Sequence, residues 1–118
     1  MKPKRLAAID IGTNSIRSII VEATGKKNFR VLDDEKETTR IGEGLGTSTR
    51  LSREAMQRAI VALQRMTDIA RGFGAETVQA VATSAVREAK NRETYLRRVE
   101  EEIGLKVRII TAEEEAWL

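Results

Sequence analysis

The sequence predicts an α/β domain with a five-stranded mixed sheet and the element order βββ-α-β-α-β-α. In the first 39 residues, three short apolar or β-branched segments are separated by turn-forming residues, which is typical of two successive β-hairpins. After residue 50, segments with helical spacing alternate with short apolar segments, which favours parallel strands connected by helices. We therefore expect an antiparallel meander of three strands, extended beside its first strand by the fourth and fifth strands in parallel.

The three N-terminal segments predict the strands of the meander. Residues 6–11 (LAAIDI) form a short apolar run that predicts a buried strand. The turn at 12–14 contains glycine and asparagine, which tolerate positive φ angles. The β-branched run 15–23 (SIRSIIVEA) predicts the second strand, and after a turn at 25–28 the alternating residues 29–39 predict the third.

The first helix is predicted to follow Ser52. Ser52 is a favourable N-cap, and Glu54 lies in the first turn, where the helix dipole stabilises an acid. Gly72 and Gly74 predict the end of this helix. Its predicted buried face consists of Met56, Ile60, Leu63, Met66 and Ala70.

The rest of the chain predicts two more strands and two more helices. Residues 78–83 (VQAVAT) and 107–110 (VRII) are short apolar segments that predict the fourth and fifth strands. Asn91 is the predicted N-cap of the helix between them, and residues 113–118 predict the first turn of a third helix. The predicted buried face of the middle helix consists of Leu96, Val99 and Ile103.

The composition excludes several classes of site. The chain contains no histidine and no cysteine, so it offers neither a serine–histidine relay nor a zinc site built on histidine or thiolate ligands. With 21 basic and 18 acidic residues, no Lys/Arg run longer than two and four aromatic residues, a DNA or RNA surface is not expected. No segment reaches membrane-spanning length, and no signal-peptide cleavage pattern follows the basic N-terminus. We therefore expect a cytoplasmic domain with no membrane partner.

The first loop contains candidate ligands for phosphate and for a metal ion. The backbone N–H groups of a tight hairpin at Gly12, with side-chain donors from Thr13, Asn14 and Ser15, can cradle a phosphate. Asp10, at the end of a strand predicted to be buried, can hold Mg²⁺ or its water shell. The alternative is a hairpin with an Asx turn and no ligand.

Polar residues also follow the fourth strand, where the ligand crevice of an open α/β sheet is expected. Thr83 and Ser84 can donate hydrogen bonds to phosphate oxygens, and Arg87 can bind one in bidentate fashion. The alternative is an ordinary helix start with a surface arginine. The glycine-rich residues 41–49 (IGEGLGTST) lack the G-K-[ST] ending of a P-loop and predict a flexible surface connection.

Three consecutive carboxylates, Glu113, Glu114 and Glu115, follow the fifth strand. Acids at a helix start complement the helix dipole, which is the simplest explanation for all three. Because a helix turns about 100° per residue, the three side chains point in different directions. One of them can therefore face the crevice while the others lie in solvent.

These segments together resemble the N-terminal domain of the exopolyphosphatase/guanosine pentaphosphate phosphohydrolase (Ppx/GppA) family. That family belongs to the actin-like, sugar kinase and Hsp70 ATPase superfamily, which has a ribonuclease-H-like fold. The resemblance is collinear and spans nearly the whole chain. It is carried by AAIDIGTNSIR (7–17), TRIGEGL (39–45), LSREAM (51–56), VATSAVREAKN (81–91) and IITAEEEAWL (109–118).

The resemblance implies Mg²⁺-dependent hydrolysis of phosphoanhydride bonds, with release of orthophosphate from polyphosphate ends or from guanosine pentaphosphate. It implies that Glu115 activates the attacking water, that Arg87 is catalytic, that Asp10 binds the metal, and that phosphate binds to residues 12–15. Thr111-Ala112 departs from the serine-glycine usual at that point of the family, so the backbone approach there is expected to differ.

The resemblance also implies a second phosphate loop and a second domain beyond Leu118. The chain (1–118) would then hold one wall of the active site and be inactive alone, and a homodimer stays open for the full-length protein. Two other functions also stay open, an ATP-dependent small-molecule kinase and a non-catalytic domain that binds polyphosphate or an alarmone. The EEEA sequence argues against a kinase, and a non-catalytic domain would not need Glu115. The preference between polyphosphate and guanosine pentaphosphate is not encoded in these residues.

Overall fold

A computed structural model describes residues 3–25, 28–42, 50–83, 86, 88–111 and 113–114. The elements are β1 (Lys4–Ile11), β2 (Ser15–Ala23), β3 (Phe29–Thr38), α1 (Arg53–Gly72), β4 (Thr77–Ala82), α2 (Arg92–Ile103) and β5 (Val107–Ile109). Residues 113 and 114 are helical, and the remainder of the predicted third helix lies outside the described residues.

The five strands form one mixed sheet in the order β3-β2-β1-β4-β5. The pairs β1–β2 and β2–β3 are antiparallel, whereas β1–β4 and β4–β5 are parallel. This confirms the predicted meander and its extension beside the first strand by two parallel strands. The α/β fold is that of the ribonuclease-H-like, actin-like class.

The core lies between the helices and one face of the sheet. Alternate residues of the strands point into it, as in β1, where Ala7, Ile9 and Ile11 are buried and the residues between them are not. All five residues of the predicted α1 face are buried. The helical periodicity of the sequence therefore identified this face correctly.

The ends of α1 also agree with the sequence. The Ser52 hydroxyl accepts a hydrogen bond from the Ala55 N–H (3.0 Å), as expected of an N-cap. The helix ends at Gly72, and Gly74 follows with φ of +77°, a conformation that glycine adopts without a steric penalty.

The N-terminal half of α2 differs from the prediction in two ways. Tyr95 is fully buried, while Leu96 is only partly buried, so the buried face is Tyr95, Val99 and Ile103. Asn91 occupies the N-cap position but its side chain makes no capping hydrogen bond. Instead its amide pairs with the backbone of Leu51: Leu51 N–H donates to Asn91 Oδ1 (2.8 Å) and Asn91 Nδ2 donates to Leu51 O (3.0 Å).

The opposite face of the sheet carries a cross-strand apolar row in which Leu6 pairs with Val21 and Val21 pairs with Val31. The two edge strands differ in length and character. β3 has ten residues, of which the stretch Asp33–Glu37 is acidic apart from Lys36, and β5 has only three.

Neither α1 nor α2 is long and apolar enough to cross a lipid bilayer, and the same holds for every helix in the part of the chain that the structure describes.

Candidate functional site

The carboxyl ends of the three parallel strands meet at one edge of the sheet. Ile11 at the end of β1 pairs with Ala82 of β4, which pairs with Ile109 of β5. Thr83 N–H donates to Ile11 O and Ile110 N–H donates to Ala82 O, both at 3.1 Å, so the chain leaves β4 and β5 side by side. The described residues of the 10–15, 83–87 and 111–115 segments therefore lie on a common edge.

The helices present their N-termini to this same edge. β3 ends beside Ser15, and Arg58 in the second turn of α1 donates to Thr39 O directly after β3, so α1 begins near this edge. The Asn91–Leu51 pair joins the start of α2 to the residue before the α1 cap. Helix N-termini carry a partial positive charge, which favours anions nearby.

The β1–β2 loop (residues 12–14) is tight, as the sequence predicts. Gly12 N–H donates to Ser15 O (2.9 Å), and a Cβ on Gly12 would lie only 3.1 Å from that oxygen. The turn predicted at 12–14 is present, and it forms without positive φ at Gly12 or Asn14, since the positive-φ residues in the described ranges are Arg40, Gly74 and Gly104. Glycine is needed here for close backbone approach.

The chain after β3 holds this loop from one side. Thr39 N–H and Arg40 N–H both donate to Asn14 O (3.0 Å each), and Gly42 N–H donates to Thr13 O (3.1 Å). Ile41 is fully buried, so the beginning of the glycine-rich segment 41–49 is packed, contrary to the predicted surface connection. Residues 43–49 lie outside the described part.

Asp10 is exposed, which corrects the expectation of a buried carboxylate at the end of β1. It faces the side of the sheet away from the helices because it alternates with the buried Ile9 and Ile11. Its cross-strand neighbour is Arg17, which donates to both carboxylate oxygens of Asp34 (3.0 and 2.7 Å).

The Arg17–Asp34 pair sets the charge around Asp10. Hydrogen bonding and attraction within the pair lower the pKa of Asp34 and raise the pKa of Arg17, and Asp10 adds a smaller raising effect on Arg17. Lys36, opposite Arg17 on β3, is the next cation in the same row.

Thr83 is buried (6% exposed), and its hydroxyl donates to Ile11 O (3.3 Å). While that hydrogen bond holds, Thr83 ties β1 to β4 and can accept from a ligand but not donate to it. The other two candidates after β4, Ser84 and Arg87, lie outside the described residues. Their predicted roles stay predictions.

The segment after β5 forms a capping box that the sequence analysis missed. Glu114 N–H donates to Thr111 Oγ1 (3.0 Å), and Thr111 N–H donates to Glu114 Oε1 (3.2 Å). Arg108 Nη1 donates to Glu114 Oε2 at 2.8 Å. The T-x-x-E spacing of residues 111–114 is the sequence signal for this arrangement.

The capping box separates the acids by role. The backbone hydrogen bond from Thr111, followed by the Arg108 guanidinium, lowers the pKa of Glu114. Glu114 is therefore occupied by capping, and the neighbouring Glu113 is exposed. Glu115 lies outside the described residues, so its predicted role as base stays a prediction.

The edge fits Mg²⁺ through a single protein carboxylate. Mg²⁺ keeps several waters and is usually held by one or two carboxylates plus substrate phosphates, so the exposed Asp10 beside the β1–β2 loop fits such a site. Within the described residues there is no group of three or more Asp, Glu, His or Cys that can hold a metal. A metal cage made only of protein ligands is therefore not what these residues provide.

The fold is that of an α/β domain of the ribonuclease-H-like class. Residues 19–118 match the model of the Ppx/GppA phosphatase family. The chain belongs to this family, which is a family of hydrolases.

Individual relatives agree with this assignment. The chain is 30% identical over 114 residues to exopolyphosphatase 1 of Mycobacterium tuberculosis (strain H37Rv), covering 97% of this chain and 33% of that protein. The structure of an Aquifex aeolicus Ppx/GppA family member matches with a TM-score of 0.91 and 34% identity, over 97% of this chain and 37% of that one. An exopolyphosphatase from Cytophaga hutchinsonii matches with a TM-score of 0.92 and 30% identity, over 97% and 36%. The chain thus spans about a third of the length of the curated relatives it matches.

Proposed function

We propose that this chain forms part of a hydrolase that cleaves terminal phosphoanhydride bonds and releases orthophosphate from polyphosphate ends or from guanosine pentaphosphate. The observation that carries the proposal is the common edge, where the β1–β2 loop, the carboxyl ends of β4 and β5, and two helix N-termini lie together. Such an edge binds anions, and the capped acidic segment beside it offers a proton acceptor. The names of the relatives support polyphosphate as the substrate class.

The β1–β2 loop is the proposed binding site for the terminal phosphate. In phosphoryl transfer to water, the protein contributes mainly positioning and charge stabilisation. Backbone N–H groups and the side chains of Thr13, Asn14 and Ser15 hold the terminal phosphate, with Arg87 as a further cation. Asp10 holds Mg²⁺, which when bound neutralises charge on the phosphate oxygens.

Glu115 is the proposed general base. A base that works near neutral pH must be a carboxylate here, because the chain has no histidine. Glu114 is engaged in the capping box and with Arg108. This supports Glu115, and not Glu114, as the group that takes a proton from water.

The test is Glu115→Gln in the full-length protein, with phosphate release from polyphosphate and from guanosine pentaphosphate as the assay. Glutamine keeps the shape of the side chain but cannot accept the proton, so kcat should fall by about two to four orders of magnitude with little change in KM. Glu114→Gln is the matched control, because glutamine also completes a capping box. It should retain turnover within about threefold, as should Glu113→Gln.

Equal losses in all three variants, or a loss confined to Glu113→Gln, would show that a different carboxylate is the base. Absence of phosphate release from either substrate by the wild-type full-length protein would refute the proposed function itself.

A further inference from the structure

The β1–β2 loop is held through two successive layers of hydrogen bonds. The inner layer consists of the N–H groups of Thr39, Arg40 and Gly42, which donate to the carbonyl oxygens of Thr13 and Asn14. The outer layer is a single side chain of α1, Arg58. Its Nε donates to Thr39 O (2.9 Å), and its Nη2 donates to Arg40 O (3.3 Å).

The inner layer fixes the direction of the loop amides. The described peptide bonds are all trans, and in a trans peptide the C=O and the next N–H point in opposite directions. With the carbonyls of Thr13 and Asn14 directed at segment 39–42, the N–H groups of Asn14 and Ser15 must point away from it. Thr13 and Asn14, at the tip of this loop, are exposed to solvent.

The hydrogen bonds between segment 39–42 and the β1–β2 loop are formed although the backbone of Arg40 is strained. Arg40 has φ of +51°, a left-handed conformation that is uncommon for any residue other than glycine. Beside it, the successive N–H groups of Thr39 and Arg40 both donate to one oxygen, Asn14 O. A strained residue persists only where its surroundings over-determine it, and here the Arg58 guanidinium binds the carbonyls of the two residues concerned.

We propose that Arg58 is a positioning residue, which aims the amides of the β1–β2 loop at the terminal phosphate of the substrate through segment 39–42. Arginine suits this task because its planar fork reaches two carbonyl oxygens at once, whereas the lysine ammonium is a point donor. Arg58 acts on the loop indirectly, through its hydrogen bonds to Thr39 O and Arg40 O. The inference rests on the proposed function, because it assumes that the ligand of the loop is a phosphate.

The experiment compares Arg58→Met and Arg58→Lys with Arg65→Met in the full-length protein. Arg65 is a matched control: it lies two helical turns further along α1, and its guanidinium pairs with the side chain of Glu37 (2.9 Å) on β3. Hydrogen exchange of the Thr39, Arg40 and Gly42 amides measures directly how stable their hydrogen bonds to the loop carbonyls are. Steady-state kinetics on tripolyphosphate report on the consequence for substrate.

In Arg58→Met, exchange of these three amides should be about ten- to a hundredfold faster, since charged hydrogen bonds to carbonyl groups are lost. KM for tripolyphosphate should rise about tenfold, while kcat changes by less than about threefold, because the loop binds phosphate and does not activate water. Arg58→Lys should lie between wild type and Arg58→Met in both measurements. Arg65→Met should match wild type within about twofold.

Unchanged exchange in Arg58→Met would overturn the inference, and so would equal changes in Arg65→Met. Faster exchange with unchanged KM would also overturn it, because these hydrogen bonds would then not serve the substrate. Loss of kcat in Glu115→Gln stays interpretable in each case, so failure of this inference is distinguishable from failure of the proposed hydrolysis. If Arg58→Met does not fold, the graded result of Arg58→Lys decides.

Discussion

Replacing Asn91 with alanine tests the connection between the starts of the two helices. The Asn91 amide makes two hydrogen bonds to the backbone of Leu51, which is only 3% exposed. Asn91→Ala leaves one N–H and one C=O of Leu51 without these partners in a largely dry position. Each such loss costs about 1 to 1.5 kcal/mol, so we expect the free energy of unfolding to fall by about 2 to 3 kcal/mol.

Thermal and urea denaturation followed by circular dichroism measure this loss. A chain of 118 residues has an unfolding entropy near Tm of about 0.25 kcal/mol/K, so Tm should fall by about 8 to 12 °C. The urea midpoint should fall with no change in the slope of the transition, because the surface exposed on unfolding stays the same.

Asn91→Asp distinguishes this role from helix capping. Aspartate caps a helix as well as asparagine, so a capping residue would tolerate it. In the observed arrangement, the carboxylate would replace the Nδ2 donor with an oxygen facing Leu51 O, and the variant should be at least as unstable as Asn91→Ala. If Asn91→Asp keeps wild-type stability, or if Asn91→Ala costs under about 0.5 kcal/mol, the Leu51 pairing is not what stabilises this junction.

Two further predictions concern Tyr95 and Gly12. The buried Tyr95 hydroxyl has no hydrogen-bond partner among the residues that the structure describes, and burial raises the pKa of the phenol, so Tyr95→Phe should leave the free energy of unfolding unchanged or raise it by up to about 1 kcal/mol. A loss above 1 kcal/mol in urea denaturation would contradict this. Gly12→Ala should cost about 1 kcal/mol and raise KM for polyphosphate, because the new Cβ would press on Ser15 O. Gly25→Ala is its control and should be neutral in both assays, because a Cβ added at Gly25 would have no atom of the described residues, its chain neighbours aside, within 4 Å.

The fold was predictable because its signals are local and repeated. The apolar spacing of α1 extends over about four helical turns, from Met56 to Ala70, and each added turn strengthens the same prediction. The strand order followed from general rules on connections once the alternation of strands and helices was recognised. The capping box at 111–114 was equally readable from its spacing, but the dipole explanation for the acids concealed it.

The structure differs from the sequence predictions at residues whose environment depends on tertiary contacts or on the face of the sheet. Asn91 carries a strong local signal for capping, yet its amide bonds a residue 40 positions away, which local sequence does not reveal. On the short helix α2, Tyr95 and Leu96 are adjacent and either could begin the apolar face, so the fit against α1 and the sheet decides. Asp10 was expected to be buried because its neighbours are, but strand alternation places it on the other face.

The two outermost strands of the sheet, β3 and β5, affect how readily one copy of the chain can pair with another. An exposed edge strand offers unpaired backbone groups to which another chain can add. On one side that edge is β3, whose charged stretch Asp33–Glu37 opposes the approach of a second identical strand through like-charge repulsion. On the other side β5 offers only three residues, too few for a stable ladder. The sheet is thereby protected at both ends against the strand-by-strand growth that leads to aggregation.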